Sequence, residues 1–150
     1  MAAVSASGES TAQDAGAAAR NQVTLRRPVF LHTGWRTAGT WLWSRFREMP
    51  GVEAYYEPLH EALERISLAR IHSLSWDQWA SGHPALARPY FHEFAPLLRP
   101  ERGGVERYRA EFAIKDFFAD ARTPLPDLRA YVALLLDFAD RRRRQPVLKF

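Results

Sequence analysis

The sequence predicts an α/β fold in which a parallel sheet is flanked by helices. The first observation is a short, almost wholly apolar run between Pro28 and Gly34, which is typical of a buried parallel strand. A turn with two glycines and a helical pattern follow this run directly, and a second strand pattern comes after the helix. Because parallel strands need a crossover connection that is usually a helix, this order indicates the beginning of a parallel sheet.

Three segments are predicted as strands: Val29–His32, Val52–Tyr56 and Pro146–Phe150. The helix after the glycine turn is expected to begin near Thr40 and to end before Pro50. Its apolar face is expected to carry Leu42 and Phe46. Three further helices are predicted: Glu61–Ile71, Tyr108–Ala119 and a strongly periodic one through Leu128–Phe138.

The last predicted helix carries charges that match its dipole. Asp127 lies in its first turn, and the arginine run Arg141–Arg144 follows its last turn. We therefore interpret this run as the end of a helix rather than as a nucleic-acid-binding patch. No aromatic and basic recognition module stands out in the chain, so no nucleic-acid partner is expected.

The composition is that of a globular protein, with 47% hydrophobic and 25% charged residues in 150. No apolar run approaches the roughly 20 residues that a membrane span requires. The chain contains no cysteine, which excludes disulfide scaffolds, thiolate zinc sites and cysteine nucleophiles. Its net charge of +4 favours anionic partners, and 19 of the 21 basic residues are arginine.

Residues 1–26 are predicted to form a disordered leader, because they contain almost no large apolar side chain. They lack the basic and apolar regions of a signal peptide, and we expect a cytoplasmic location. Residues 27–150 are predicted to be the N-terminal part of a longer domain, since the sequence stops inside its third strand. That strand is expected to lie at an exposed edge, which would favour self-association of the chain.

The glycine turn is the segment most indicative of a binding site. Gly34 and Gly39 have the G-x-x-x-x-G spacing of a P-loop, placed between a strand and a helix. Such a turn directs backbone N–H groups and the helix N-terminus at an anion. A Walker A motif continues with Lys and Ser or Thr, but here these places hold Thr40 and Trp41. A phosphate cradle is therefore predicted, whereas a magnesium-dependent ATPase is poorly supported.

Three segments resemble a known family. Residues 36–42, Arg-Thr-Ala-Gly-Thr-Trp-Leu, resemble the 5′-phosphosulfate loop of sulfotransferases that use 3′-phosphoadenosine-5′-phosphosulfate (PAPS). Residues 56–60, Tyr-Glu-Pro-Leu-His, resemble the Glu-Pro segment after the second strand of bacterial and carbohydrate sulfotransferases, and residues 145–150 resemble the strand that leads into the 3′-phosphate motif. The resemblance implies a Rossmann-like, P-loop-type sheet and sulfuryl transfer from PAPS, without a metal, to an acceptor hydroxyl or amine.

The resemblance also implies roles for individual residues. The expected cofactor-binding residues are Gly34, Trp35, Arg36, Thr37, Ala38, Gly39, Thr40 and Trp41. Arg36 would act on the phosphosulfate electrostatically, because arginine does not readily lose its proton. Glu57 is the first candidate for the base that activates the acceptor, His60 is the second and His32 the third. The family's 3′-phosphate ligands would follow Phe150, so residues 1–150 alone are expected to be inactive and to bind the desulfated nucleotide PAP weakly.

Two other interpretations of the sequence stay open. A kinase-like P-loop phosphoryl transferase would share the glycine turn but not the Glu-Pro segment. A truncated, non-catalytic product would keep only the opening half of the fold and an interaction surface. The acceptor itself, a small molecule or a glycan, is not indicated by any motif.

Overall fold

The computed structural model describes residues 26–34, 38–74, 86–114 and 125–150. These ranges contain three strands: β1 (Val29–Leu31), β2 (Val52–Tyr56) and β3 (Gln145–Lys149). They also contain three α-helices: α1 (Gly39–Glu48), α2 (Leu68–Ser73) and α3 (Pro126–Arg141). Short 3-10 helices occur at Glu61–Glu64, His92–Leu97 and Ala110–Ala113. None of the described helices is long and apolar enough to cross a membrane. All but one residue of the predicted leader lies outside the described ranges.

The strands form one parallel sheet in the order β1-β3-β2, which confirms the predicted α/β character. β3 is the central strand, so the expectation that it would be an exposed edge is wrong: it pairs on both sides, and Val147 and Leu148 are fully buried. α1 packs against one face of the sheet through Trp43, whereas α3 packs against the other face beneath Tyr55. The order differs from that of the dinucleotide-binding Rossmann fold, in which β1 and β2 are neighbours.

Helix α1 forms where the sequence predicts it, but only one of the two predicted apolar residues packs inward. Leu42 is 41% exposed, whereas Phe46 packs partly buried against the core and Trp43 and Arg47 are buried. Arg47 can be buried because its guanidinium donates Nε and Nη2 to the two carboxylate oxygens of Glu93, at 2.7 and 3.0 Å. Its guanidinium also lies over the Trp43 ring. The buried charge is therefore paired, hydrogen-bonded and packed on an aromatic ring, as burial of a charge requires.

The helix predicted over Glu61–Ile71 is broken into a 3-10 turn and the short helix α2. The backbone oxygens of Leu63 and Ile66 accept hydrogen bonds from the amides of Val105 and Gly104, at 2.8 and 2.7 Å. These carbonyls are directed at a distant loop instead of along the axis of a continuous helix, where they would accept from the i+4 amides. This tertiary contact explains why the prediction of a single helix is wrong.

The other two helix predictions have different outcomes. The periodic helix is confirmed as α3, which buries Tyr131, Leu135 and Ala139 at a spacing of four residues. The described part of the segment Tyr108–Ala119 forms only the 3-10 turn at residues 110–113, and residues 115–119 lie outside the described ranges.

Two buried tyrosines fix the segment that follows β2. The hydroxyl of Tyr131 donates to the carbonyl oxygen of Pro58 at 2.8 Å, and that of Tyr108 donates to the carbonyl of Leu59 at 3.1 Å. Burial raises the pKa of Tyr108 to about 12 and that of Tyr131 well above its ordinary value. Both hydroxyls therefore stay protonated donors, and they hold the Glu-Pro segment beneath the end of the sheet.

Candidate functional site

The candidate site lies where the three parallel strands end. Because all three strands run in the same direction, the residues that follow β1, β2 and β3 lie along one edge, which we call the carboxyl edge. Thr33 and Phe150 are joined there by a hydrogen bond from the threonine Oγ1 to the Phe150 carbonyl, at 3.3 Å. In open α/β sheets ligands bind in the crevice outside the carboxyl ends of the strands. If the predicted site residues form a binding site, they should therefore lie together at this edge.

The end of the glycine turn approaches β1 closely. Ala38 has a φ of 58°, in the left-handed region, and it turns the chain into α1. A Cβ on Gly39 would overlap the side chain of Thr33, so only glycine fits at this position. Trp35, Arg36 and Thr37, three of the predicted binding residues, lie outside the described residues.

The N-terminus of α1 opens at the same edge. No side chain caps it and no acidic residue lies in its first turn, within the residues that the structure describes. The first amides of a helix have no partner inside the helix, and together with the helix dipole they favour a bound anion. The start of α1, at Ala38, Gly39 and Thr40, therefore combines an uncapped N-terminus with the absence, among the described residues, of a neighbouring acidic residue in its first turn.

Glu57 comes directly after β2 and has an unusual backbone conformation. Its φ is 40°, in the left-handed region that residues other than glycine rarely adopt. The side chains of Tyr56 and Lys149 occupy paired positions on neighbouring strands and therefore share one face of the sheet. Strict alternation would place Glu57 on the opposite face, but the left-handed residue ends the strand and its carboxylate reaches Lys149, with Oε1 2.6 Å from Nζ. Such strain of about 1–3 kcal/mol is typical of functional positions.

Tyr56 connects this ion pair to the helix N-terminus. Its hydroxyl lies 3.5 Å from the Oγ1 of Thr40, and the ammonium of Lys149 lies 4.6 Å from the centre of its ring. Burial raises the pKa of Tyr56 above its ordinary value, and the neighbouring Glu57 charge adds to the effect. We call Thr40, Tyr56, Glu57 and Lys149 the carboxyl-edge cluster.

The two histidine candidates have other contacts. The Nδ1 of His60 accepts a hydrogen bond from the Ala62 amide at 3.1 Å and caps the 3-10 helix that follows. The Nδ1 lone pair of His60 is therefore engaged by the backbone, and in the neutral imidazole Nε2–H is left as a hydrogen-bond donor. His32 is exposed and stacks on the Phe150 ring, with the ring centres 5.3 Å apart. Of the three candidates for the base, Glu57 is the one that these contacts connect, through Lys149 and Tyr56, to Thr40 at the end of the glycine turn.

The tryptophans near the turn differ in exposure. Trp41, in the first turn of α1, is 52% exposed, and the guanidinium of Arg45 lies over its ring. Trp43 is fully buried; its indole N–H donates to the Ala54 carbonyl at 3.1 Å and its ring packs on Tyr56. Trp41 is therefore available to a ligand at the helix N-terminus, whereas Trp43 belongs to the core.

Sequence reasoning missed Lys149. It is the one charged residue of β3, and its side chain is only 8% exposed. One signal was available: the pattern of β3 places Lys149 on the same face as the buried Val147, at the last position of the strand. A single charged residue at the carboxyl end of a buried strand is a candidate for a site, because charges are rarely buried without a partner.

The chain matches no family model, no curated protein and no solved structure. Among the residues that the structure describes, no group of three or more His, Asp or Glu side chains could hold a metal ion. The site is therefore interpreted from its own geometry.

Proposed function

We propose that the chain belongs to a PAPS-dependent sulfotransferase. One observation carries the proposal: the carboxylate of Glu57 and the uncapped N-terminus of α1 lie at the same edge of a parallel sheet, connected through the contact between Tyr56 and Thr40. An anion cradle beside a carboxylate is the minimum that transfer of an anionic group to a hydroxyl requires.

The finer fold assignment is part of this proposal. We assign the chain to the P-loop type of α/β fold, because a glycine turn connects β1 to α1 and β3 separates β1 from β2. A crossover from β1 to β2 that skips a strand leaves the carboxyl end of β3 between them. The crevice outside that end is where the 5′ end of the nucleotide would bind.

In the proposed site, backbone amides at the start of α1 and the guanidinium of Arg36 hold the 5′-phosphosulfate. Sulfuryl transfer is expected to resemble phosphoryl transfer, in which a loose transition state gathers charge on the equatorial and leaving oxygens. Fixed positive charge and oriented amides stabilise that charge. Thr40 and the exposed Trp41 lie at the same helix end and supply a hydroxyl and a ring face.

Glu57 is the proposed base. The acceptor oxygen attacks sulfur and forms the new S–O bond, the bond from sulfur to the phosphate oxygen of PAP breaks, and the acceptor proton moves to the Glu57 carboxylate. A base at this position acts on the acceptor and not on the nucleotide. A small-molecule or glycan acceptor and a cytoplasmic location complete the proposal.

The first test is nucleotide binding. We expect the purified full-length protein to bind PAP without Mg²⁺ in titration calorimetry, and to bind it more tightly than ATP with Mg²⁺. Preference for ATP and Mg²⁺ would instead support a phosphoryl transferase, and binding of neither nucleotide would support a non-catalytic product.

The second test is substitution of the arginine in the turn. In the full-length protein we expect Arg36→Ala to reduce sulfuryl transfer about 10²–10³-fold, the usual cost of removing one preorganised charge donor. Arg129→Ala is the matched control, since Arg129 is exposed on α3. Turnover of the Arg36 variant close to that of the control would remove Arg36 from the proposed site.

A further inference from the structure

We propose that Lys149 is an anion-binding residue of the carboxyl edge, and that it supplies the ammonium that a Walker A turn carries directly after its second glycine. In a Walker A turn the lysine after the second glycine contacts the phosphates. Here the residue after Gly39 is Thr40, and the ammonium comes from the end of the central strand instead. The inference rests on the proposed function for the identity of the nucleotide.

The position of Lys149 supports this role. The carboxyl end of β3 lies between those of β1 and β2, beneath the crevice outside the sheet. The ammonium lies against the face of the Tyr56 ring, whose hydroxyl contacts Thr40 in the first turn of α1. Lys149 is one of only two lysines in the chain, and its side chain is 8% exposed. Its ammonium is therefore held by the surrounding protein rather than solvated. An ammonium has three donors, and Glu57 Oε1 accepts from it at 2.6 Å.

The same ion pair suggests how the site is regulated. Without nucleotide, Lys149 and Glu57 neutralise each other, so the carboxylate is engaged before an acceptor can use it. An anion at the start of α1 competes with Glu57 for the ammonium. When Lys149 moves to the anion, the Glu57 carboxylate becomes free to accept a proton. Binding of the donor nucleotide thereby precedes activation of the acceptor.

If Lys149 moves from Glu57 to the bound anion, substitutions of Lys149 and of Glu57 should change the affinity for PAP in opposite directions. We expect Lys149→Gln to weaken PAP binding about 10- to 100-fold, the loss for one hydrogen bond to a charged group. Lys149→Arg should keep most of the affinity, because it keeps the charge. Glu57→Gln should strengthen PAP binding, because it removes the competitor for Lys149. A purely structural ion pair would give no such opposition.

The measurement is titration calorimetry of PAP, without Mg²⁺, on the wild-type full-length protein, on these three variants of it and on Arg129→Gln as a control for the loss of one charge. Thermal melting of each protein checks that it is folded. If Lys149→Gln does not fold, Lys149→Arg and Glu57→Gln still test the prediction. Equal affinity of the wild-type full-length protein and folded Lys149→Gln overturns the inference, as does a Glu57→Gln variant that binds PAP more weakly.

The outcomes also separate this inference from the proposed function. If the wild-type full-length protein binds ATP with Mg²⁺ but not PAP, the sulfotransferase proposal fails, and the same variants titrated with ATP decide the role of Lys149. If PAP binds and Lys149→Gln leaves its affinity unchanged, the proposed function stands and the inference fails. If the wild-type full-length protein binds neither nucleotide, both are wrong.

Discussion

Each end of the sheet carries a glutamate with a basic partner, Glu53 within β2 and Glu57 directly after it, but the two glutamates differ in solvent exposure. At the amino end Glu53 is 2% exposed, and its carboxylate oxygens lie 3.4 and 3.2 Å from the guanidinium nitrogens of Arg142 and Arg144. At the carboxyl edge the side chain of Glu57 is 31% exposed and pairs with a single lysine. A carboxylate paired with basic side chains is therefore not sufficient to indicate a ligand-binding or catalytic site.

The surroundings of each pair explain the difference. Arg142 and Arg144 follow α3, so their contacts with Glu53 fasten the end of that helix to β2. The sequence predicts this arginine run as a helix end, and the structure adds a second task, which is to neutralise a buried carboxylate. Glu57 instead has a left-handed backbone, partial exposure and an uncapped helix N-terminus beside it. Access and a neighbouring anion cradle distinguish the candidate site from the structural pair.

The largest effect that we expect from the difference between Glu57 and Glu53 is on kcat. In the full-length protein we expect Glu57→Gln to lower kcat about 10²–10⁴-fold, the usual cost of removing a general base, without weakening PAP binding. We expect Glu53→Gln, a matched loss of one carboxylate from the same strand region, to leave kcat near its wild-type value. Steady-state kinetics of both variants provide the measurement. A large loss in His60→Ala together with normal turnover in Glu57→Gln would transfer the base assignment to His60.

A smaller effect, on unfolding free energy and PAP affinity, is expected when a glycine at either end of the sheet is replaced by alanine. Gly39→Ala places a Cβ against Thr33, and we expect it to cost about 1–3 kcal/mol of unfolding free energy, as overpacking usually does, and to weaken PAP binding. In Gly51→Ala, at the amino end, the new Cβ meets no atom within 4 Å. Its expected cost is the backbone strain of an alanine at a φ of 74°, about 1 kcal/mol. Urea unfolding measures both costs. Equal PAP affinity of Gly39→Ala and Gly51→Ala would contradict a tight cradle at the start of α1.

The smallest effect concerns the pH dependence of stability at the amino end. Burial raises the pKa of Glu53 above its ordinary value of 4.5, although Arg142 and Arg144 act in the opposite direction. A carboxyl whose pKa is higher in the folded state loses stabilising free energy as pH rises through that folded value. The wild-type chain should therefore lose stability relative to Glu53→Gln as pH rises from below 4.5 to neutral. Urea unfolding of both proteins at acid and neutral pH measures this, and the opposite trend would show that the arginines outweigh burial.

Much of the candidate site could be predicted from local sequence. The turn from Gly34 to Thr40 and the position of Glu57 after β2 follow from short patterns, because a strand, a tight turn and a capped or uncapped helix are determined by neighbouring residues. Lys149 could not be assigned in this way, since its partner is 92 positions away in the sequence. The role of His60 was also hidden, because its bond to the Ala62 amide depends on a 3-10 turn where a regular helix is expected.

The sequence by itself determined the three strands to within one residue at most ends, the helices α1 and α3, and the parallel α/β character. These features depend on periodicity and on local breakers such as Pro50. Only the tertiary structure decided that β3 lies between β1 and β2, that Arg47 is buried while Leu42 is exposed, and which acid pairs with which base. The reason is physical: strand order and register place residues from distant parts of the chain side by side, and the pairing of buried charges depends on that placement and not on the residues next to them.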